Sequence, residues 1–467
     1  MKRILFIAFL LSLFQFASAQ DGYQITLQIK GINDTISYLA YYKGDQLFVQ
    51  DTAYNNTGDG SFTFEADSLI PQGMYIFAGQ RSNKYFDFLL DDHQQFSIIS
   101  DTDDVIGNMK IKNSKANQLF FDYVSFISNK QKEIKSLKIE FDSLKGSPKA
   151  VEIQSTINSI NKMVEDHRSR LIENYSDNYT SAFLKATLEP KLPDFANENG
   201  VYDSLALYRY YKHHYWDNAP LRDNRLFRTP YFQKKLDQYL DKVVIQHPDT
   251  LIAAIDSLLV WSKPAKDIFQ HIMWNTTIKY ENSKIMGFDK IFVHLAQTYY
   301  AQGFCDWMYP QVVTNIVKRG EELAPLLLDK VAPNLILLDT SDHIHEIHAV
   351  DAKYTLLYFW STDCGHCKKE TPKMVEFYKQ FKDHYNLEVF GINTDTSMSQ
   401  WREFIVDYKM EWINTSGYRS LKGDFHKLYD IYSTPTIFLL DENKKIIAKR
   451  VLTDQIKELI RRREEIE

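Results

Sequence analysis

Two cysteines that follow a short apolar run constrain the fold more than any other feature of the chain. The run covers residues 354–360, and the cysteines are Cys364 and Cys367. An apolar run of this length, followed by a helical pattern, predicts a buried strand that turns into a helix. Free backbone N–H groups and the positive end of the helix dipole stabilise a thiolate at such a helix start. The sequence therefore predicts an exposed, reactive thiol at Cys364.

The residues around this pair suit thiol-disulfide exchange. Cys367 lies one turn inside the predicted helix, where it can attack a mixed disulfide formed by Cys364. Glu370 follows on the same helix face, so we expect it to be partly buried and to accept the Cys367 proton during resolution. His366 favours a thiolate at Cys364 and Asp363 opposes it, so we predict that these two residues tune the reduction potential.

Other uses of a cysteine pair fit this sequence less well. A zinc site needs further Cys or His ligands at a suitable spacing, and the chain has only 3 cysteines, with Cys305 as the third. A structural disulfide between such close cysteines closes too short a loop to stabilise much. A peroxidase does not need the second cysteine, although a side activity of this kind stays open. We predict no metal ion and no cofactor.

The C-terminal part, from about residue 333 to 467, contains a further set of motifs around the cysteine pair: Phe359-Trp360, Cys364-Gly365-His366-Cys367, Glu370, Pro372 and Ser433-Thr434-Pro435-Thr436. With these motifs it resembles the thioredoxin superfamily and, within it, the TlpA/ResA-like thiol-disulfide oxidoreductases of the cell envelope. The resemblance implies a thioredoxin fold and dithiol redox activity.

The same resemblance implies roles for individual residues. Pro435 is implied to be cis and to face the dithiol, and Thr434 to pair with the substrate backbone. We also predict that Trp360 contributes to substrate binding. The family often has a buried aspartate six residues before the first cysteine, where this chain has Tyr358, so the resemblance assigns the acid-base role to Glu370. Asp363 is a second departure, because the family usually has tryptophan there.

The first 19 residues have the pattern of a cleavable export signal. Lys2 and Arg3 precede an apolar stretch over residues 4–16, and Ala17-Ser18-Ala19 provides small residues for cleavage. The alternative is a buried helix or an uncleaved anchor. No later stretch has 18 uninterrupted apolar residues, so we predict no membrane span after signal removal. The predicted location is the periplasm.

The rest of the chain divides into three regions by its hydrophobic periodicity. Residues 22–113 contain short alternating runs between turn residues and predict a small antiparallel β-sandwich. Residues 114–325 have helical periodicity and predict an all-α domain with a pair of long helices. Residues 326–467 alternate between strands and helices, which is typical of an α/β sheet.

Composition and isolated motifs exclude several other functions. The chain carries 55 Lys and Arg against 61 Asp and Glu, a net charge of −6, so electrostatics give no reason to expect a nucleic-acid partner. His213 and His214 are adjacent and point about 100° apart on a helix, which makes them a poor chelating pair. Cys305 is predicted to be a small buried side chain, with a third redox thiol as the alternative.

Together these features predict a periplasmic thiol-disulfide oxidoreductase that reduces disulfides of exported proteins. A membrane-bound thiol donor would keep its cysteines reduced. A disulfide isomerase or oxidase stays open as an alternative within the same chemistry. A redox sensor is an alternative of another class, in which the β and helical domains bind a ligand or partner.

Overall fold

The computed structural model describes residues 22–55, 57–81, 83–194 and 203–466. The predicted export signal lies outside these residues. The described chain forms two compact units. The first contains the described residues up to Ile245 together with Ser257–His271, and the second contains Gln246–Asp256 and the residues from Ile272 onward.

The first unit begins with a sandwich of two four-stranded sheets. Its strands are β1 (Tyr23–Lys30), β2 (Ile36–Lys43), β3 (Gln46–Tyr54), β4 (Ser61–Ala66), β5 (Gly73–Gly79), β6 (Lys84–Leu90), β7 (Gln95–Asp101) and β8 (Lys110–Lys112). The strand order is β4-β1-β7-β8 in one sheet and β3-β2-β5-β6 in the other. Ile25, Leu27 and Ile29 of β1 are buried because alternate side chains face the core. Strands β1 and β7 run parallel, so the first sheet is mixed rather than purely antiparallel as predicted.

A series of helices follows the sandwich. They are α1 (Lys115–Ser143), α2 (Pro148–Asn174), α3 (Tyr179–Ala186), α4 (Ser204–His214), α5 (Phe232–Gln238), α6 (Pro248–Ser262), α7 (Lys266–Glu281), α8 (Asp289–Leu295) and α9 (Pro310–Leu323). The predicted pair of long helices is confirmed as α1 and α2, and Ile153, Ile157 and Ile160 of α2 are buried. None of the described helices is long and apolar enough to cross a membrane.

The second unit contains a seven-stranded sheet and its helices. The strands are β9 (Ile336–Asp339), β10 (Ile344–Glu346), β11 (Tyr354–Trp360), β12 (Leu387–Asn393), β13 (Ile413–Lys422), β14 (Thr436–Leu440) and β15 (Ile446–Lys449). The helices are α10 (Gly365–Phe381), α11 (Met398–Tyr408), α12 (Phe425–Tyr429) and α13 (Thr453–Ile466). The strand order is β10-β9-β13-β12-β11-β14-β15. Helices α8 and α9 belong to the same compact unit as this sheet. The predicted domain boundaries at 113/114 and 325/326 stay predictions.

Strand β11 is buried on both faces of this sheet. Tyr358 and Trp360 pack in one apolar cluster with Met374 of α10, while Leu357 and Phe359 belong to a second cluster on the opposite face. The strand runs parallel to β12 and antiparallel to β14. The carboxyl end of β11 is therefore held in place by both neighbouring strands. The cysteine pair lies where β11 leads into α10.

Candidate active site

Cys364 occupies the N-cap position of α10. Its backbone is extended, with φ −83° and ψ 112°, and its Sγ accepts a hydrogen bond from the backbone N–H of Cys367 at 3.1 Å. Burial alone would raise the pKa of the Cys364 thiol, but hydrogen bonds from the Cys367 thiol and from backbone N–H groups outweigh burial and lower this pKa. The helix dipole acts in the same direction. Cys364 is thus a partly exposed thiol that readily ionises.

Cys367 has the opposite environment. Its side chain is fully buried in the apolar cluster beneath α10. Burial and the hydrogen bond to Cys364 raise the pKa of this thiol. Both thiols are free. The two thiols are therefore chemically unequal, because Cys364 is partly exposed with a lowered pKa and Cys367 is buried with a raised pKa.

The loop before β14 faces the dithiol. The peptide bond between Thr434 and Pro435 is cis, as the resemblance implied. The Cys364 thiol donates a hydrogen bond to the Thr434 carbonyl oxygen at 3.1 Å. Thr436 closes the loop, because its hydroxyl donates to the carbonyl of Ser433 at 2.8 Å. The structure thus brings Thr434 and Pro435 together with Cys364, while their part in substrate binding stays a prediction.

Glu370 is a residue of α10, and its side chain is buried. Its carboxylate accepts a hydrogen bond from the backbone N–H of Thr453 at 2.7 Å, at the start of α13. The ammonium group of Lys373 lies 3.9 Å from the other carboxylate oxygen. Glu370 therefore links α10 to α13. Its role as the proton acceptor of Cys367 stays a prediction.

Asp363 and His366 both have exposed side chains beside Cys364. Their predicted influence on the reduction potential stays a prediction. Trp360, in contrast, is fully buried, and its ring stacks against Phe404 with 4.6 Å between the centroids. The predicted substrate-binding role of Trp360 is wrong, because the side chain has no exposed surface with which to contact a substrate.

Two sets of contacts near the dithiol were not predicted from the sequence, although the position of Tyr358 was noted. The carboxylate of Asp395, just after β12, accepts the backbone N–H of Thr362 at 2.5 Å and the side-chain amide of Asn393 at 3.1 Å. Burial would raise the pKa of Asp395, but hydrogen bonds from the Ser361 side chain, from Thr362 and from Asn393 outweigh burial and lower it. Parallel strands end at the same sheet edge, so the position of Asp395 after β12 was a usable signal.

The second set is a pair of buried hydroxyl groups. The Tyr358 hydroxyl lies 2.8 Å from that of Thr371, which is one helical turn beyond Cys367. Burial raises the pKa of Tyr358 well above its ordinary range. Position 358 therefore carries a neutral hydroxyl group, paired with that of Thr371, where thioredoxin-like proteins often have a buried aspartate.

The remaining cysteine is Cys305. Cys305 is buried, and burial raises the pKa of its thiol to about 12. It is therefore unreactive at neutral pH. Within the described ranges, no group of three or more His, Cys, Asp or Glu side chains is arranged to hold a metal ion.

The C-terminal region is similar in sequence to known proteins. Residues 351–446 match a family model described as thioredoxin-like. The ResA thiol-disulfide oxidoreductase of Bacillus thuringiensis is 28% identical over 131 residues, which cover 28% of this chain and 73% of that protein. Its counterpart in Bacillus subtilis is 31% identical over 116 residues, 25% of this chain and 63% of that protein. The C-terminal domain is a TlpA/ResA-like member of the thioredoxin superfamily. With its paired thiols, the chain is a thiol-disulfide oxidoreductase.

Two solved structures and two further family models are also similar to this TlpA/ResA-like protein. A domain of a possible thiol-disulfide isomerase from Cytophaga hutchinsonii is 38% identical, with a TM-score of 0.29, and covers 30% of this chain and 96% of that one. A thioredoxin-like protein from Bacteroides caccae is 21% identical, with a TM-score of 0.45, and covers 58% of this chain and 97% of that one. Residues 23–120 and 165–308 match two domains of unknown function, DUF4369 and DUF5106.

Proposed function

We propose that this protein is a periplasmic reductase of disulfides in other exported proteins. The observation that carries the proposal is the inequality of the two sulfur atoms. Cys364 is partly exposed at a helix N-terminus, with a lowered pKa, while Cys367 is enclosed, with a raised one. An exposed thiolate backed by a protected thiol suits a two-step exchange with a protein disulfide.

In the first step the Cys364 thiolate attacks one sulfur of the substrate disulfide. A mixed disulfide forms between that sulfur and Cys364, and the other substrate sulfur leaves as a thiolate. Cys367 then loses its proton and attacks Cys364 Sγ, which releases the second substrate thiol. The substrate gains two electrons and the protein is left with a Cys364–Cys367 disulfide. A membrane-bound thiol donor returns the two electrons by the same exchange in reverse.

Glu370 is the proposed acceptor of the Cys367 proton. It lies three residues after Cys367 on α10, so both side chains share one face of the helix. It is the buried carboxylate on this face, and the Thr453 N–H fixes one of its oxygens at 2.7 Å. A carboxylate held in this way can take the proton as the mixed disulfide resolves.

Thr434 and Pro435 are the proposed contacts for the substrate backbone. Cys364 Sγ lies 3.1 Å from the Thr434 carbonyl oxygen, so a disulfide that reaches this sulfur must pass the loop. An extended substrate segment could pair with the loop backbone in the manner of an added strand.

Reduction of insulin by the full chain tests the proposal. With dithiothreitol as donor, the wild type should precipitate the insulin B chain at a rate that scales with enzyme concentration, and Cys364→Ser should not exceed the uncatalysed rate. Cys367→Ser should instead accumulate mixed disulfides with exported proteins in cells, whereas Cys364→Ser should trap none. A dithiol that only senses redox state would be oxidised once and would not turn over. Reduction of no more than one insulin disulfide per protein molecule would therefore contradict the proposed reductase activity.

The proposed location rests on the export pattern of residues 1–19. Expression of the full chain in a Gram-negative host and cell fractionation tests it. The mature protein should appear in the periplasmic fraction with Gln20 as its N-terminal residue. Retention in the cytoplasm with an intact N-terminus would contradict the proposed location and leave the dithiol chemistry unaffected.

A further inference from the structure

The helical region of the first compact unit encloses a lysine side chain that has no polar partner. Lys235 of α5 is buried, with only 3% of its surface exposed. Among the described residues, none accepts a hydrogen bond from its side-chain nitrogen, Nζ. Lysine is almost never fully buried without a partner, and a buried polar atom left without one requires an explanation.

Three aromatic rings surround the Lys235 nitrogen. The Nζ atom lies 4.4 Å from the ring centroid of Tyr215 and 5.9 Å from the centroids of Trp216 and Tyr231. At these distances the ring faces attract a cation. The rings do not replace hydrogen-bond acceptors, however, and a lysine ammonium group carries three N–H donors. The aromatic residues therefore hold the nitrogen in place and leave its donors unsatisfied.

Trp216 supplies a second buried donor at the same place. It is 6% exposed, and its indole nitrogen, Nε1, also has no acceptor within the described ranges. Trp216 and Lys235 line one small cavity of about 10 Å³, to which Phe183, Leu226 and Phe232 contribute apolar walls. A volume of this size holds about one water-sized group. The cavity thus combines two unsatisfied donors with apolar walls and with room for one acceptor.

The chain places no negative charge in this cavity to balance Lys235. Lys235 is the one charged side chain among the described residues that line it. The hydroxyl groups of Thr229 and Tyr231 donate to backbone carbonyls, at 2.7 and 3.2 Å. Glu189 acts on Lys235 electrostatically, but its side chain is exposed and accepts the Tyr211 hydroxyl at 2.6 Å. Buried charges are paired in stable proteins, so the acceptor for Lys235 must come from outside the chain.

We propose that Lys235 and the Trp216 indole N–H bind one small monovalent anion in this cavity, either a halide ion or one oxygen of a short carboxylate. Both ligands accept hydrogen bonds from an ammonium group and from an indole N–H, and both carry the single charge that balances Lys235. The size of the cavity excludes larger anions such as sulfate. Tyr231 and Phe183 line the cavity and are partly exposed, so the anion enters on their side.

Binding of an anion and protonation of Lys235 support each other. Burial lowers the pKa of Lys235. An anion at hydrogen-bond distance acts in the opposite direction, because an opposite charge favours the ammonium form. The bound anion therefore stabilises the charged lysine inside the helical region, and the charged lysine retains the anion.

Thermal denaturation of the full chain tests the proposal. Sodium chloride replaces sodium gluconate at constant ionic strength, so that only the anion changes. The Tm of the first unit should rise by about 3 °C or more at about 200 mM chloride, because a ligand that binds only the folded state stabilises it. Lys235→Met keeps the buried stem and removes the charge, so its Tm should not depend on chloride. Lys234→Met, an exposed neighbour on α5, should respond as the wild type does.

Chloride-35 NMR measures the binding itself. The chloride line should be broader with the wild type than with Lys235→Met, and titration with bromide should remove this difference. Trp216→Phe keeps an aromatic ring and removes the N–H, so it should bind chloride at least threefold more weakly. Equal chloride affinity of the wild type and Trp216→Phe would contradict the proposed pair of donors, and this comparison remains valid if Lys235→Met does not fold.

Formate in place of chloride distinguishes the two kinds of ligand. A rise in the wild-type Tm with chloride alone would assign the site to a halide, and a rise with formate alone would assign it to a carboxylate. Equal rises in the wild type and in Lys235→Met would overturn the proposal, because they would show a general effect of salt. A wild-type Tm that depends on neither anion would also overturn it, and Lys235 would then be a neutral buried amine.

Discussion

Single residues decide which of the two sulfur atoms reacts. Cys364 and Cys367 are separated by two residues, but the first caps a helix and the second lies in the core. Reactivity follows the thiolate, which forms above the pKa of each group. The direction of the two pKa shifts therefore predicts a strong preference for Cys364 at neutral pH.

Iodoacetamide labelling of the reduced protein measures this preference. At pH 7 we expect modification of Cys364 and protection of Cys367 and Cys305. The rate at Cys364 should rise with pH and reach half its maximum at a lower pH than the rate for an ordinary cysteine thiol does, because the pKa of Cys364 is lowered. Peptide mapping by mass spectrometry identifies the labelled residue. Preferential labelling of Cys367 would refute the assignment of the nucleophile.

Glu370→Gln tests proton transfer without removing the hydrogen bond to Thr453, because the amide oxygen can accept the same N–H. The fold should be retained, while resolution of the mixed disulfide slows by roughly 10²-fold, as expected for loss of a general base. Stopped-flow release of a substrate thiol measures this step. Glu376→Gln, an exposed change on the same helix, provides the control. An unchanged rate in Glu370→Gln would exclude the acid-base role.

The residues beside Cys364 should set the reduction potential. An imidazolium at His366 stabilises the thiolate and hence the reduced form, so His366→Pro should lower the potential. Asp363 opposes the thiolate, so Asp363→Trp should raise it. For the wild type we expect a value between about −270 mV, as in thioredoxin, and about −180 mV, as in protein disulfide isomerase. Titration against glutathione measures each potential, and no change in His366→Pro would exclude it as a tuning residue.

At the scale of structural elements, the loop between β11 and α10 depends on the neighbouring strand β12. Asp395, after β12, holds the Thr362 N–H at 2.5 Å. A hydrogen bond to a charged group contributes roughly 1.5–3 kcal/mol. Asp395→Ala should therefore increase hydrogen exchange at the Thr362 amide by about tenfold or more, with a smaller effect for Asp395→Asn. Exchange measured by NMR checks this, and unchanged protection in Asp395→Ala would show that the loop is held by other contacts.

The elements that the sequence predicts well are those with strong periodicity. Strand β11, helix α10 and the long helices α1 and α2 follow apolar patterns that match one structure type. Strand β13 was missed, because its polar sequence INTSGYRSLK lacks alternation and its pairing with β9 shifts register between Ser416 and Ser420. Pairing with β12 and β9 places β13 in the sheet, and the sequence of β13 alone does not indicate a strand.

At the scale of the whole molecule, contacts between residues far apart in sequence were predictable only where the family resemblance carried them, as for Pro435 and the dithiol. The cysteine pair and Pro435 could be assigned because local motifs carry them. The pairing of Arg319 with Asp430 spans 111 positions, and neither residue belongs to a motif. A motif can also be read too far. Trp360 belongs to the motif before the dithiol, but the motif did not show whether the Trp360 ring faces the solvent or the core.

The Arg319 pair should contribute to the stability of the second unit. Arg319→Met keeps most of the apolar stem and leaves the buried Asp430 with Arg450 alone, which binds the same carboxylate at 2.6 Å. We expect a loss below the roughly 3–5 kcal/mol of a fully broken buried pair. Thermal denaturation should show a lower Tm, whereas Lys318→Met, an exposed neighbour, should leave it unchanged. Equal Tm values for the two variants would show that the pair contributes little.

The sulfur at the start of α10 also links the oxidation state of the protein to its folding. In the folded chain Cys364 Sγ accepts the backbone N–H of Cys367, a contact that favours the thiolate and that an unfolded chain does not hold in place. Folding therefore stabilises the reduced form, and by a closed thermodynamic cycle it raises the reduction potential by the corresponding amount. The Cys364–Cys367 disulfide is therefore harder to reduce in a chain that is oxidised before it folds, and folding makes this disulfide easier to reduce.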